Sequence, residues 1–412
     1  MQTAKTDLGV LCITGFLRSI ATGMVGVILG IFLFRHGADS IEIGVATAAG
    51  LAGAALATAV VTIAADRQGR RRSLTLLSLL WVLGGIGLAY AHAYWLVLVV
   101  AFVGMVNAMG TDRSAAYVLE QAALPGLVRP ERRTWTFAWY HLALDGGGAL
   151  GALGAGLPIA LTKWSSLDLD HAYRDVWLGY AALGIASAML YRLASDRLEV
   201  PTAEQPQLRQ PLSEESKGRV YRIAALFAID SFGGGFLTDA VVAYWFFRRF
   251  GLGEQQLGIL FFAVHVLNAL SHLGAAWLAK RIGLLRTMVF THLPSSIFLI
   301  AVPFAPSFRL AAALFLARES LVEMDVPTRQ SYVSAIVRPH ERTFAAGVTN
   351  LSRNVFWAIA AAIGGVLMQN VAFAAPLVAG GGLKIGYDLL LYRKFRNIKP
   401  PEESAAPEDQ SS

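Results

Sequence analysis

The stretch Thr62-Ile63-Ala64-Ala65-Asp66-Arg67-Gln68-Gly69-Arg70-Arg71-Arg72 separates two long apolar runs, near 41–64 and 73–91. Each run has about the 20 residues a helix needs to cross a bilayer. Gly69 permits a tight turn between them. The arginines suit lipid headgroups, and Asp66 can accept hydrogen bonds at a helix N-terminus or from an arginine. Outward from this turn, ten further apolar runs lie near 8–34, 94–122, 135–161, 175–193, 221–247, 256–279, 287–304, 308–335, 344–368 and 373–392. The pattern predicts an all-α integral membrane protein with twelve transmembrane helices. The first run is too long for a signal-peptide core and has no convincing cleavage site, so it is read as a helix.

Composition agrees. The 412 residues are 55% hydrophobic and 15% charged, with a mean hydropathy of +0.51. Soluble domains carry about 25% charged residues, so a typical soluble enzyme and a disordered scaffold are both excluded. The net charge of +7 is better explained by basic cytoplasmic loops than by nucleic acid. Cys12 is the only cysteine. It reads as a small core residue and leaves no disulfide and no multi-cysteine metal site. No lysine follows a glycine, so there is no Walker A loop, and neither G-x-S-x-G nor H-E-x-x-H occurs. We expect no enzyme activity, no ATP-driven transport, no cofactor and no metal.

Lys and Arg decide the orientation. The even-numbered connections and the two ends hold most of them, including Lys5, Arg67, Arg70, Arg71, Arg72, Arg129, Lys280, Arg281, Arg338 and Arg393. The odd-numbered connections hold only Arg35, Lys163, Arg174, Arg248, Arg249 and Arg309. Both termini are therefore expected in the cytoplasm, with the chain in the plasma (inner) membrane. Residues 195–219 are polar and contain Pro201, Pro206 and Pro211, which reads as a cytoplasmic linker. It divides a six-helix bundle over 1–194 from another over 220–396. The tail 397–412 is expected to be disordered.

The two halves repeat. Val128-Arg129-Pro130 recurs as Val337-Arg338-Pro339, and Arg133-Thr134 as Arg342-Thr343, both 209 residues later. Arg35 and Gly37 recur as Arg249 and Gly251, and Asp66-Arg67-x-Gly69 recurs degraded as Lys280-Arg281-x-Gly283, both 214 later. Parallel repeats about an axis normal to the membrane are a transporter plan with the binding site at the repeat interface.

At the 62–72 stretch the chain resembles the major facilitator superfamily, whose loop between helices 2 and 3 reads G-x-x-x-D-R-x-G-R-[KR]-[KR]. Asp66, Arg67, Gly69, Arg70, Arg71 and Arg72 match, and Thr62 replaces the leading glycine. The resemblance implies two pseudo-symmetric six-helix bundles. It implies a conformational latch at Asp66, Arg67, Gly69 and Arg70, on the first copy only, because Lys280 stands where the second would have its aspartate. It also implies that helices 1, 4, 7 and 10 line a central cavity while 3, 6, 9 and 12 mainly support it.

The intramembrane charges fall largely on those four helices. Helix 1 carries Arg18, helix 4 Asp112, Arg113 and Glu120, helix 7 Asp230 and Asp239, and helix 10 Arg318, Glu319, Glu323, Asp325 and Arg329. Helix 5 adds Asp145, helix 11 Arg353, and helix 12 Lys384 and Asp388. Such residues are expensive in a bilayer and default to function, although permanent ion pairing between helices accounts for about half of them equally well. Arg18, Arg113 and Arg318, with Tyr117, are the candidate substrate contacts. Their forks suit an anionic or zwitterionic solute. Asp230, Glu319, Glu323 and Asp112 are the candidate proton carriers, since like charges one turn apart, as in Glu319 and Glu323, favour a held proton. Pro327 predicts a kink in helix 10. His265, Asn268 and His272 share a helical face, for which packing is preferred over a polar cavity wall. Gly146, Gly147, Gly148, Gly151 and Gly154 let helix 5 pack closely. Pro158 follows Leu157, so the Gly-Pro signature of the superfamily's drug antiporters is absent.

The sequence thus reads as a secondary transporter of a small organic solute, proton-coupled, with export slightly favoured, acting as a monomer in the lipid bilayer without nucleic acid. A multidrug or lipid-like exporter is the alternative. A transporter-fold sensor or assembly factor without flux is the third reading.

Overall fold

The computed structural model describes residues 2–112, 114–128, 133–165, 167–199, 214–326, 329 and 342–396, and gives Asp66, Arg67 and Lys280 as backbone only. Among the described residues there is no strand. The first half contains α1 (Gln2–Arg35), α2 (Ser40–Gln68), α3 (Arg70–Tyr90), α4 (Tyr94–Val103), α5 (Ala115–Leu127), α6 (Arg133–Gly154), α7 (Leu157–Ser165) and α8 (Leu169–Arg192). The second contains α9 (Glu214–Gly235), α10 (Asp239–Phe250), α11 (Glu254–Ile282), α12 (Leu284–Ala301), α13 (Phe308–Val322), α14 (Arg342–Asn370) and α15 (Ala375–Phe395).

Burial is inverted relative to a soluble protein. Leu76 is 57% exposed while Glu120 is 0% exposed. Leu76, Leu79, Leu83 and Ile86 form an exposed stripe along α3 at helical spacing. Such a stripe is stable only against lipid. Among the described residues, seven helical segments are long and apolar enough to cross a membrane, and the pair Trp139–Gly154 and Leu157–Ser165, bent by 44°, makes an eighth. The other sequence-predicted spans coincide with helices that are shorter, broken or more polar. Helix 4 was expected to be continuous, but α4 ends at Val103 and α5 starts at Ala115. Gly110 lies between them at φ 82, where a side chain would strain the backbone. This irregular segment satisfies its own polar groups, as membrane depth requires. Asn107 Nδ2 donates to Thr111 O at 2.9 Å, and Asn107 Oδ1 accepts from Met109 N at 2.9 Å. Helix 7 is likewise interrupted before Asp239, where the Thr238 side chain caps α10. The predicted kink at Pro327 lies outside the described residues.

The halves repeat in packing as in sequence. In the first, α1 packs on α6 and α3 on α8; in the second, α9 packs on α14 and α12 on α15. Asp7 near the chain start accepts from Ser195 N at 2.8 Å, just after α8. Phe395 at the end of α15 packs with Val220 of α9. These ends share one face of the molecule. The halves meet where α2 packs on α14, α6 on α11 and α1 on α10. Small residues permit the approach: a Cβ on Gly44 would stand 2.8 Å from Ala361 O, on Gly258 2.6 Å from Ala152 O, and on Gly30 2.8 Å from Ala240 O.

Candidate functional site: a charged cavity between the halves

In the first half, Arg18 is consumed by acids. Its Nε lies 2.6 Å from Asp112 and its Nη2 2.5 Å from Glu120. Glu120 also accepts from Thr14 Oγ1 at 2.8 Å, Tyr140 Oη at 2.5 Å and Tyr191 Oη at 2.5 Å. The group is buried and saturated with hydrogen bonds, so neither Arg18 nor Asp112 stands ready in the way the sequence reading expects. Arg113 lies outside the described residues. Tyr117 stacks on Tyr140 with ring centroids 6.3 Å apart and borders a void of about 40 Å³.

The second half builds a larger cage. Lys384 Nζ of α15 donates to Asp230 of α9 at 2.9 Å. Arg329, Arg353 and His292 approach the same carboxylate at 3.6, 3.8 and 3.8 Å. Arg329 also pairs with Asp325. His292 of α12 lies 3.0 Å through Nδ1 from Asp388 and 3.3 Å through Nε2 from Lys384. Helices 9 and 12, expected only to support, therefore contribute three members of the cage. Asp230 is neutralised on several sides, which fits a structural ion more closely than a titrating one.

Between the two cages lies a cavity of about 80 Å³ bordered by Asp230, Asp239, His265, Asn268, Arg318 and Glu323, among others. Arg318 pairs with its neighbour Glu319. Glu323 borders this space and the void beside Tyr117. Across the halves, His272 Nε2 stands 3.6 Å from Asp145. His265 Nε2 stands 3.8 Å from Asp239 Oδ2, too far for a hydrogen bond. His265, Asn268 and His272 thus form a cavity wall, the less favoured of the two sequence readings. Asp239 borders the cavity just after the break before α10, which Gly233, Gly234, Gly235 and the Thr238 cap mark in the sequence. Among the described residues no group of three His, Cys, Asp or Glu is placed to hold a metal ion.

Opposite the chain ends the cavity is sealed. Arg35 at the end of α1 makes a fork with Glu254 at the start of α11, at 2.9 and 3.3 Å. Tyr173 Oη donates to the same carboxylate at 2.6 Å. Gln369 Nε2 donates to Asp39 at 3.0 Å. The Glu42 backbone N–H and this amide hold the Asp39 carboxyl below its usual range. Arg248 lies over Phe34, 4.5 Å from the ring centroid. Ala240 N donates to Ala108 O at 3.3 Å, joining the two broken helices.

Near the chain-end face, Gly69 at φ 99 separates α2 from α3. The Glu199 carboxylate accepts from Arg70 N at 2.6 Å and Arg71 N at 3.2 Å, capping α3. Sequence reasoning missed Glu199, because a single acid after a span carries no local signal. The side chains of Asp66 and Arg67 are outside the described residues.

The family model described as Major Facilitator Superfamily matches residues 11–322 and 224–411. An uncharacterized membrane protein of Saccharomyces cerevisiae is 27% identical, covering 96% of each chain. The E. coli xylose transporter XylE in a partially occluded inward-open conformation superposes with a TM-score of 0.75 at 13% identity, covering 98% of this chain and 99% of that one. A bacterial homologue of the human lysosomal transporter Spinster, inward-facing and occupied, gives 0.73 at 15% identity, covering 96% and 98%. The human organic anion transporter MFSD10 gives 0.68 at 16% identity, covering 94% and 99%. At these identities the likeness concerns the fold.

Proposed function

The chain belongs to the major facilitator superfamily, and from that premise we propose that it is a secondary active transporter moving a small organic solute by alternating access, coupled to protons. The observation that carries this reading is the charged cavity between the halves, sealed on one face by contacts that join one half to the other. Arg35–Glu254, Asp39–Gln369, and α2 on α14 all lie between mid-depth and the face opposite the chain ends. We take the chain ends to be cytoplasmic and the membrane to be the plasma (inner) membrane, which makes this the inward-facing state. Flux in proteoliposomes under an imposed pH gradient tests the reading. A purified, monodisperse chain that carries no member of a broad solute panel in either direction overturns it.

The sealed face makes a specific prediction. Glu254→Gln keeps the shape but removes the charge that holds Arg35, and so biases the protein toward opening on that face. Arg35 is partly exposed, so the pair is worth about 1 kcal/mol or less after screening. That corresponds to a shift of up to about fivefold in the conformational ratio. Accessibility of a cysteine placed at Ser40, measured with an impermeant reagent, is expected to rise. Unchanged labelling would remove Glu254 from the seal.

The resemblance at 62–72 supplies the opposing latch, Asp66 with Arg67, Gly69 and Arg70, acting when the cavity faces out. Asp66→Asn is expected to slow turnover several-fold while leaving substrate affinity in the inward-facing state largely intact. Parallel measurement of transport rate and binding checks this. Lost binding with an unchanged conformational ratio contradicts a latch.

A further inference from the structure

Three buried polar atoms bordering the cavity have no hydrogen-bond partner: Asp239 Oδ2, His265 Nε2 and Asn268 Oδ1. His265 is 2% and Asn268 4% exposed, and they are three residues apart on one face of α11. Buried polar atoms are normally satisfied, so an unmet set at a cavity marks a place where a ligand supplies the partners. The Asn268 oxygen accepts, the Asp239 carboxylate accepts in its ionised form, and His265 Nε2 accepts when the ring proton sits on Nδ1. In those forms the missing groups are donors.

Charge points the same way. Seven carboxylates but four Lys or Arg border the two voids among the described residues. The cations are already engaged: Lys384, Arg329 and Arg353 at Asp230, and Arg318 at Glu319. Arg18 is held by Asp112 and Glu120. Among the described residues, an anionic solute would enter a surplus of carboxylates in which each bordering Lys or Arg already faces an acid. A cation balances that surplus, and a charge-assisted hydrogen bond to a carboxylate is the stronger kind. Leu237, Val264, Val322 and Trp357 border the same space, giving an organic body an apolar wall.

We propose that this cavity takes a substrate bearing a protonated primary or secondary amine, whose N–H groups are accepted by Asp239, His265 and Asn268. The inference rests on the transporter reading and narrows its substrate class, replacing the anionic solute expected from the arginines alone. A primary ammonium has three donors on one atom. A quaternary ammonium has none and leaves the three acceptors unmet.

Thermal denaturation of the full chain in detergent tests this with skeleton-matched probes: 2-phenylethylamine and other C4–C10 primary amines, their trimethylated derivatives, and the corresponding carboxylates. Members of the primary amine set are expected to raise the melting temperature in a saturable way. Their trimethylated and carboxylate counterparts are expected to have little effect. Asp239→Asn is expected to weaken amine binding about 30-fold or more. Asn268→Ala gives a second, smaller loss should the first variant not purify as a monodisperse species. Stabilisation by carboxylates as strong as by amines, no stabilisation by any amine, or unchanged amine affinity in both variants overturns the proposal. A separate arm keeps the transporter reading distinct. Cysteines at Asp39 and Gln369 report by cross-linking whether the sealed face opens. Opening without amine binding sinks the amine class alone, whereas a face that never opens sinks alternating access.

Discussion

Replacing Arg18 with Met is expected to destabilise the protein by about 3–5 kcal/mol, the cost of removing one partner from a buried ion pair. The substitution nearly conserves side-chain volume, so packing contributes little. What remains is Asp112 and Glu120, buried and facing each other's charge across the lost guanidinium. Glu120 keeps three hydroxyl donors, which soften the loss without supplying charge. Adding Glu120→Gln removes one of the stranded charges and is expected to recover more than half of the stability. Thermal denaturation in detergent, followed by the fraction remaining monodisperse, measures both variants. A single variant melting within about 2 °C of the parent contradicts a structural role for this triad. A loss that the second substitution fails to relieve contradicts the electrostatic cause.

Glu323→Gln is expected to abolish accumulation driven by a pH gradient while preserving solute exchange. Four carboxylates are candidates for the proton: Asp230, Glu319, Glu323 and Asp112, the last of which is paired with Arg18. Lys384, Arg329, Arg353 and His292 surround Asp230, and Arg318 contacts Glu319. Glu323 is the member that borders both voids, where a moving half changes its surroundings most. Asp230→Asn is expected to behave differently, lowering stability and transport together because it strands Lys384. Proteoliposomes assayed with and without a pH gradient separate coupling from exchange. Accumulation by Glu323→Gln with the parent's dependence on the gradient removes this residue from the coupling path.

The spans, the repeat and the turn at Gly69 were legible because each is written in adjacent residues. Twenty apolar residues and a glycine before three arginines need no knowledge of the partner helix. The intramembrane charges were legible as a set for the same reason, since a charge inside an apolar run is visible alone. Their pairing was not. Arg18 meets residues 94 and 102 positions away, and Arg35 meets Glu254 across 219. Helical periodicity reports which residues share a face but not which two faces meet. His292 illustrates the limit: nothing in its own helix marks it, and Asp388 and Lys384 beside it give it a role. The break before Asp239 is marked in the sequence but not decided there, for a related reason. Glycine-rich apolar sequence forms a helix or a satisfied loop depending on which neighbour supplies the hydrogen bonds.

The seam between the halves carries an energetic consequence. At Gly44, Gly30 and Gly258 the facing surfaces approach backbone to backbone, with Tyr244 Cβ beside Gly30. Around them side chains cross the seam, as where Arg248 lies over Phe34. Parting the halves would therefore cost both apolar packing and the polar contacts at the rim. Arg35 there has a side chain 34% exposed, within reach of mobile ions. The polar share of that cost is expected to fall as ionic strength rises on that side of the membrane, while the packed share is not.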